Sequence, residues 1–220
     1  MNYKFPEIED KTAFRINNFS ENGAGHHKEE IQIDEEILND FINIQTYFKS
    51  GNSIQLSKSL LFLNNITLES YFKPTPDVFS HHLPNILMRI AFNKSETITR
   101  KEFECQVLAL SIIDNLTLEK HYGFIDIFNE FNIINSSCLL LSSRISTVIS
   151  YTIRILINYA ELNDEFCELI LESIPLDTFL SYLLDHEVNN NELHLYTASL
   201  LCQLSTIKKK QYVPYFYAAV

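Results

Sequence analysis

The sequence predicts an all-α chain assembled by repetition. Three observations carry that prediction: a shortage of turn residues, the length of the apolar segments, and one amide-bearing segment that recurs at a nearly fixed interval. Glycine occurs 4 times and proline 6 times in 220 residues, against about 7% and 5% in ordinary sequences. An all-β sandwich or barrel uses both residues at its turns. Glycine-rich phosphate loops have little to be built from. Hydrophobic residues make up 46% of the chain, enough for a sizeable core.

Residues 1–30 are polar and unpatterned and include Asn22-Gly-Ala-Gly-His-His27. They are expected to be a flexible acidic lead-in. From residue 31 to 220 the chain is dense in Leu, Ile and Phe with no Gly/Ser-rich linker, so one structured unit is expected there. Apolar segments alternate with polar breaks at Lys49-Ser-Gly-Asn-Ser53, Lys73-Pro-Thr-Pro-Asp77, Asn93-Lys-Ser-Glu-Thr97, Asn135-Ser-Ser137 and Asn189-Asn-Asn-Glu192. Pro84 suits the first turn of a helix over 84–91, where a missing N–H is harmless. Asp177 precedes Thr178–Leu184, whose apolar spacing is that of a helix face. Between Ile145 and Ile157 the Ile, Thr and Tyr residues alternate strictly, a strand-like period of two. That run is longer than most strands. As a helix it would be apolar around most of its circumference, as in a helix packed on several sides, and it is assigned so.

Four stretches align. Leu60-Leu-Phe-Leu-Asn-Asn-Ile-Thr-Leu-Glu69 matches Leu110-Ser-Ile-Ile-Asp-Asn-Leu-Thr-Leu-Glu119, and Ile153-Arg-Ile-Leu-Ile-Asn-Tyr-Ala-Glu161 and Ala198-Ser-Leu-Leu-Cys-Gln-Leu-Ser205 follow the same scheme. Asn65, Asn115, Asn158 and Gln203 then share a register, at intervals of 50, 43 and 45 residues. Such a period belongs to solenoids of two- or three-helix repeats. Each unit resembles an armadillo repeat, with a short first helix, a second helix and a long third helix that ends in a Leu-x-Asn-Leu-Ser/Thr-like motif. The fourth unit carries the resemblance best, with Pro175–Asp185 similar to the second helix and Asn191–Ser205 to the third. The likeness covers roughly residues 35–210, and the related HEAT repeat stays open as an alternative.

The resemblance implies a right-handed superhelix of about four armadillo-like repeats whose third helices line a concave groove. It implies that the recurrent amide grips the backbone of an extended peptide. A side-chain amide can donate to one backbone group and accept from another, and stacked repeats set such amides at regular intervals. The alternative is that these amides bond inside their own repeat. One turn earlier stand Leu61, Ser111, Arg154 and Ser199; in the importin-alpha branch that position is typically Trp, which this chain lacks altogether. Two turns earlier stand Lys58, Leu108, Tyr151 and Tyr196. The expected binding surface is therefore Asn65, Asn115, Arg154, Asn158 and Gln203, with Tyr151 and Tyr196 behind them, since Tyr and Arg are frequent interface anchors.

Charge and chemistry narrow the role. The net charge of −11 repels nucleic acid and anionic membranes at long range. A protein or an extended peptide is the expected partner. No stretch approaches the ~18 apolar residues of a membrane span, and the N-terminus lacks a signal core, so a cytoplasmic or nuclear location is expected. Cys105, Cys138, Cys167 and Cys202 are widely spaced within apolar segments and read as buried thiols, not as a zinc site or disulfide framework. Adjacent His26-His27 and His81-His82 point to different sides of a helix. Asp164, Glu165 and Glu168 read as a solvated helix start. Neither a cofactor nor an enzyme is expected, although a helical-bundle enzyme stays a distant alternative. Lys208–Lys210 followed by the apolar, aromatic residues 211–220 suggests an incomplete further repeat, or an end that docks on a partner.

Overall fold

A computed structural model describes residues 35–68, 82–93, 98–118, 123–143, 145–184 and 191–206, all within one unit spanning Glu35–Val220. The expectations for residues 1–30, for Lys73–Asp77, for His26, His27 and His81, and for the C-terminal residues 207–220 lie outside the described residues. Ten helices and no strand occur among those described: α1 (Glu35–Ser50), α2 (Ser53–Leu68), α3 (His82–Ala91), α4 (Arg100–Leu116), α5 (Gly123–Glu130), α6 (Ile133–Leu140), α7 (Ser146–Ala160), α8 (Asp164–Ser173), α9 (Leu176–Leu184) and α10 (Asn191–Ser205).

Local chemistry sets the helix ends. Gly51 closes α1 at φ +70, where the Gly51 N–H donates to Phe48 O (3.2 Å) and the Asn52 N–H to Tyr47 O (3.0 Å). This pair of bonds is the Schellman arrangement that satisfies a helix's last carbonyls. Asn52 then starts α2, its Oδ1 accepting from the Gln55 N–H. Thr99 and Glu102 form a reciprocal capping box at the start of α4, with bonds of 3.2 and 2.7 Å, and the Thr99 main-chain N–H, then its hydroxyl, hold the Glu102 carboxyl below its usual range. Asn163 caps α8 through Phe166 N, and exposed Asp164 and Glu165 occupy the first turn, where the helix dipole favours acids.

The expected break at Asn135–Ser137 is corrected: those residues lie inside α6. The turn falls earlier, at Asn132, which adopts left-handed φ 62 and whose Oδ1 accepts from Asn135 Nδ2 at 2.9 Å. Ser137 satisfies its own hydroxyl on Ile133 O at 2.8 Å, so the helix passes through it.

The Ile-rich run is helical, as α7. Its apolar circumference reflects its neighbours, since α4, α6, α8 and α10 all pack against it. Helices α5–α6–α7 and α8–α9–α10 form two triplets of short, short and long helices, preceded by the pairs α1–α2 and α3–α4. The long helices lie side by side in the order α2, α4, α7, α10. Their buried faces supply much of the core, with Leu60 and Leu63 on α2, Leu110 and Ile113 on α4, Ile153 and Leu156 on α7, and Leu200 and Leu204 on α10. Tyr159 is buried beneath them, its hydroxyl donating to Ile125 O at 2.9 Å and its ring meeting Phe166 edge-on.

Two cysteines depart from the expected burial. Cys105 and Cys167 are buried, with Sγ donating to Ser53 O and Ala160 O, and burial pushes both thiols up to about 11. Cys138 is half-buried and Cys202 is exposed. Helix α10 buries Leu193, Thr197, Leu200 and Leu204, and helical spacing puts Cys202 on the opposite side.

Candidate binding face of the third helices

The amides predicted to share a register do not share one environment. Asn65 is exposed on α2, Asn115 is only 2% exposed on α4, and Asn158 and Gln203 are half-buried on α7 and α10. Asn115 Nδ2 donates backwards to α2, to Thr67 Oγ1 at 3.0 Å and to Asn64 Oδ1 at 3.4 Å. Asn158 Nδ2 makes the same reach to α4, meeting Thr117 Oγ1 at 3.0 Å and both the main-chain O and the Oδ1 of Asp114 at 3.1 Å. These amides bond neither inside their own repeat nor toward open solvent. They tie α4 to α2 and α7 to α4.

The acceptors were not expected from the sequence. A readable signal for them existed: Asn64-Asn-Ile-Thr67 and Asp114-Asn-Leu-Thr117 align residue for residue, so each amide's two acceptors recur one residue before and two residues after the preceding amide. Among the described residues, the Gln203 side chain makes no such bond, and the matching positions of α7 are Ile157 and Ala160.

Past its first turn, α7 leaves three positions that are not buried: Tyr151, Arg154 and Asn158. Their spacing of three and four places them in one line on a helix. The Arg154 guanidinium lies over the Tyr151 ring at 5.4 Å and over the Tyr196 ring of α10 at 5.5 Å, within cation–π range of both. Its Nη2 forms an ion pair of 2.6 Å with Asp114 Oδ2, a close charge contact without the alignment of a hydrogen bond. Asp114 is 1% exposed and the Arg154 side chain 36%, so the pair is oriented with its anion inward and its cation at the surface. Burial pushes the Asp114 carboxyl up to about 6, against the opposing pull of Arg154 and Asn158. The structure thus brings Tyr151, Arg154, Asn158 and Tyr196 together, with Asp114 beneath; Asn65 and Gln203 stand apart from this cluster.

The exposed side of α2 differs in character, with Ile54, Leu61 and Leu68 in line and Phe62 beside them. No group of three or more His, Cys, Asp or Glu converges as metal ligands among the described residues. None of their helices is long and apolar enough to cross a membrane.

Comparison with solved structures places this architecture. The chain superposes on a designed armadillo repeat protein with a TM-score of 0.59 at 15% identity, over 84% of this chain and 69% of that one. The fold is armadillo-like. A second designed armadillo repeat protein, solved in complex with the peptide (KR)4, matches with a TM-score of 0.52 at 14% identity over 84% of this chain and 79% of that one. An engineered protein matches with a TM-score of 0.62 at 14% identity, over 84% and 68% of the two chains. No protein-family model matches the sequence, and no curated protein matches it in sequence. The armadillo-like arrangement is therefore carried by shape and by the spacing of a few residues.

Proposed function

We propose that this chain is a non-catalytic scaffold that binds an extended peptide, or a partner protein presenting one, along the line of its third helices. The observation that supports this reading is the open strip of α7: Tyr151, Arg154 and Asn158 are its unburied positions past the first turn, and Tyr196 of the next third helix closes on the same arginine. A helix packed on all other sides has one surface to offer, and here it offers the residue types that anchor interfaces. The armadillo-like neighbour in complex with a peptide adds support by analogy of fold. On this reading Asn65 and Gln203 extend the surface towards its two ends. Asn115 contributes through alignment of the helices, because its amide nitrogen is engaged with α2. The same reading makes residues 1–30 an acidic lead-in to the repeat domain of residues 31–220 and puts the protein in the cytoplasm or nucleus.

The test is a screen of fluorescently labelled extended peptides by anisotropy, repeated with Tyr151→Ala/Tyr196→Ala. Peptides selected on the native chain should bind the double variant at least about tenfold more weakly, the loss typical of truncated aromatic anchors. An exposed control, Leu139→Ala on α6, should leave affinity unchanged. Equal binding by the tyrosine variant, with circular dichroism unchanged, would refute the placement of the surface.

A further inference from the structure

We propose that the clamp formed by Tyr151, Arg154 and Tyr196 is a receptor for the side-chain carboxylate of an acidic residue in the bound peptide. The inference rests on the scaffold reading above and adds the chemistry of the ligand.

The argument starts from what remains open on Arg154. A guanidinium is a flat fork with five N–H donors and two π faces. The rings of Tyr151 and Tyr196 lie against it at 5.4 and 5.5 Å, and Nη2 is held by Asp114 at 2.6 Å. The side chain is 36% exposed, and beyond Nη2 the in-plane N–H donors make no hydrogen bond among the described residues. Planar oxyanions pair with such donors, often through two parallel bonds.

Two further observations favour a carboxylate over a basic group. A ligand lysine or arginine approaching the rings of Tyr151 and Tyr196 would meet the like charge of Arg154, which already lies over both. The carboxylate that neutralises Arg154 is 1% exposed, and its Oδ1 accepts from Asn158, so the anion of the pair is turned away from an incoming ligand. Arg154 also sits in the interior of the row, with α4 on one side and α10 on the other. A peptide crossing the row therefore passes this point and presents a side chain there, not its terminus.

The experiment uses the full chain and amidated, labelled octapeptides of alternating Glu-Ser, Gln-Ser and Lys-Ser, with a Gln-Ser peptide bearing a free C-terminal carboxylate as a further arm. It is run at physiological ionic strength, where the charge of −11 is screened beyond about 8 Å. The Glu-Ser peptide should bind about tenfold more tightly than the amidated Gln-Ser peptide, the effect expected of one charge-assisted pairing at a half-exposed site. The preference should vanish in Asp114→Asn/Arg154→Gln, a double variant chosen because Arg154→Gln alone would strand the buried Asp114 charge. Arg154→Lys should retain part of it. Equal affinity for Glu-Ser and Gln-Ser, stronger binding of Lys-Ser, a gain from the free C-terminus equal to that from Glu, or a preference that survives the double variant would each overturn the carboxylate assignment. If Gln-Ser or selected peptides still bind and lose affinity in Tyr151→Ala/Tyr196→Ala, the scaffold reading survives that loss. If no peptide of any charge binds, both readings fall together.

Discussion

Replacing Asp114 with Asn tests whether the buried ion pair holds the fold together or strains it. Burial raises the Asp114 carboxyl from its ordinary 3.8 to about 6, so the folded chain takes up this proton more readily than the unfolded chain. By linkage, the contribution to stability is greatest below pH 3.8 and is lost as pH rises through the window from 3.8 to about 6. Above that window the ionised group costs about 3 kcal/mol relative to its neutral form. Asparagine reproduces the neutral form, but Asn158 and Arg154 meet different oxygens of Asp114, and asparagine places an oxygen at only one of those two positions. Arg154, at 36% exposure, keeps water as another partner. The net gain expected from Asp114→Asn at pH 7.5 is therefore about 2 kcal/mol, a rise in Tm of about 4–8 °C for a chain of this size. Thermal unfolding followed by far-UV circular dichroism on both proteins across the acidic and neutral range measures it, and the gain should disappear as pH falls through that window, leaving the variant about 1 kcal/mol the less stable below it, the cost of the acceptor it lacks. A variant that melts lower than the native chain at pH 7.5 would refute the reasoning, because the Arg154 attraction would then outweigh the desolvation of Asp114.

Other outcomes follow from the same geometry. Asn115→Ala removes a buried amide bonded to Thr67 and Asn64 and should cost about 1–3 kcal/mol, read as a lower urea midpoint; a loss under about 0.5 kcal/mol would show that the tie is dispensable. Among the four thiols, Cys202 should react first with a thiol reagent at pH 7.5, while Cys105 and Cys167, buried and pushed up to about 11, stay protected until unfolding; early labelling of Cys105 would contradict the packing. Gly51→Ala meets no steric neighbour but must hold φ +70, and should cost about 1 kcal/mol in chemical unfolding; a neutral result would mean that the turn after α1 relaxes.

The sequence made the third helices legible because each is a long apolar segment with an amide near its end, and that pattern survives divergence. It also made Tyr151, Arg154 and Asn158 legible as one face, since a spacing of three and four is a property of the helix alone. The destination of the amides was not legible in the same way. Whether Asn158 faces a ligand or a neighbour depends on how closely α4 approaches α7, a tertiary distance that no local pattern encodes. Asp114 escaped notice for a related reason: an acid in a helix usually reads as solvent-facing, and only the packing of α7 over α4 removes it from water. The misplaced break at Asn135–Ser137 shows the opposite error, in which polar residues suggested a turn although Ser137 could bond to its own helix.

Helix α4 carries both halves of a coupling. It donates through Asn115 to the helix before it and accepts through Asp114 and Thr117 from the helix after it. A module fitted with a plug on one side and the matching socket on the other can be duplicated in tandem without redesigning either junction. Growth of the array by whole copies of this module would repeat the amide ties, and only the copy next to α7 would keep the Arg154 ion pair. The segment from α7 to α10 lacks the socket, and copies made there would have to be held by packing alone.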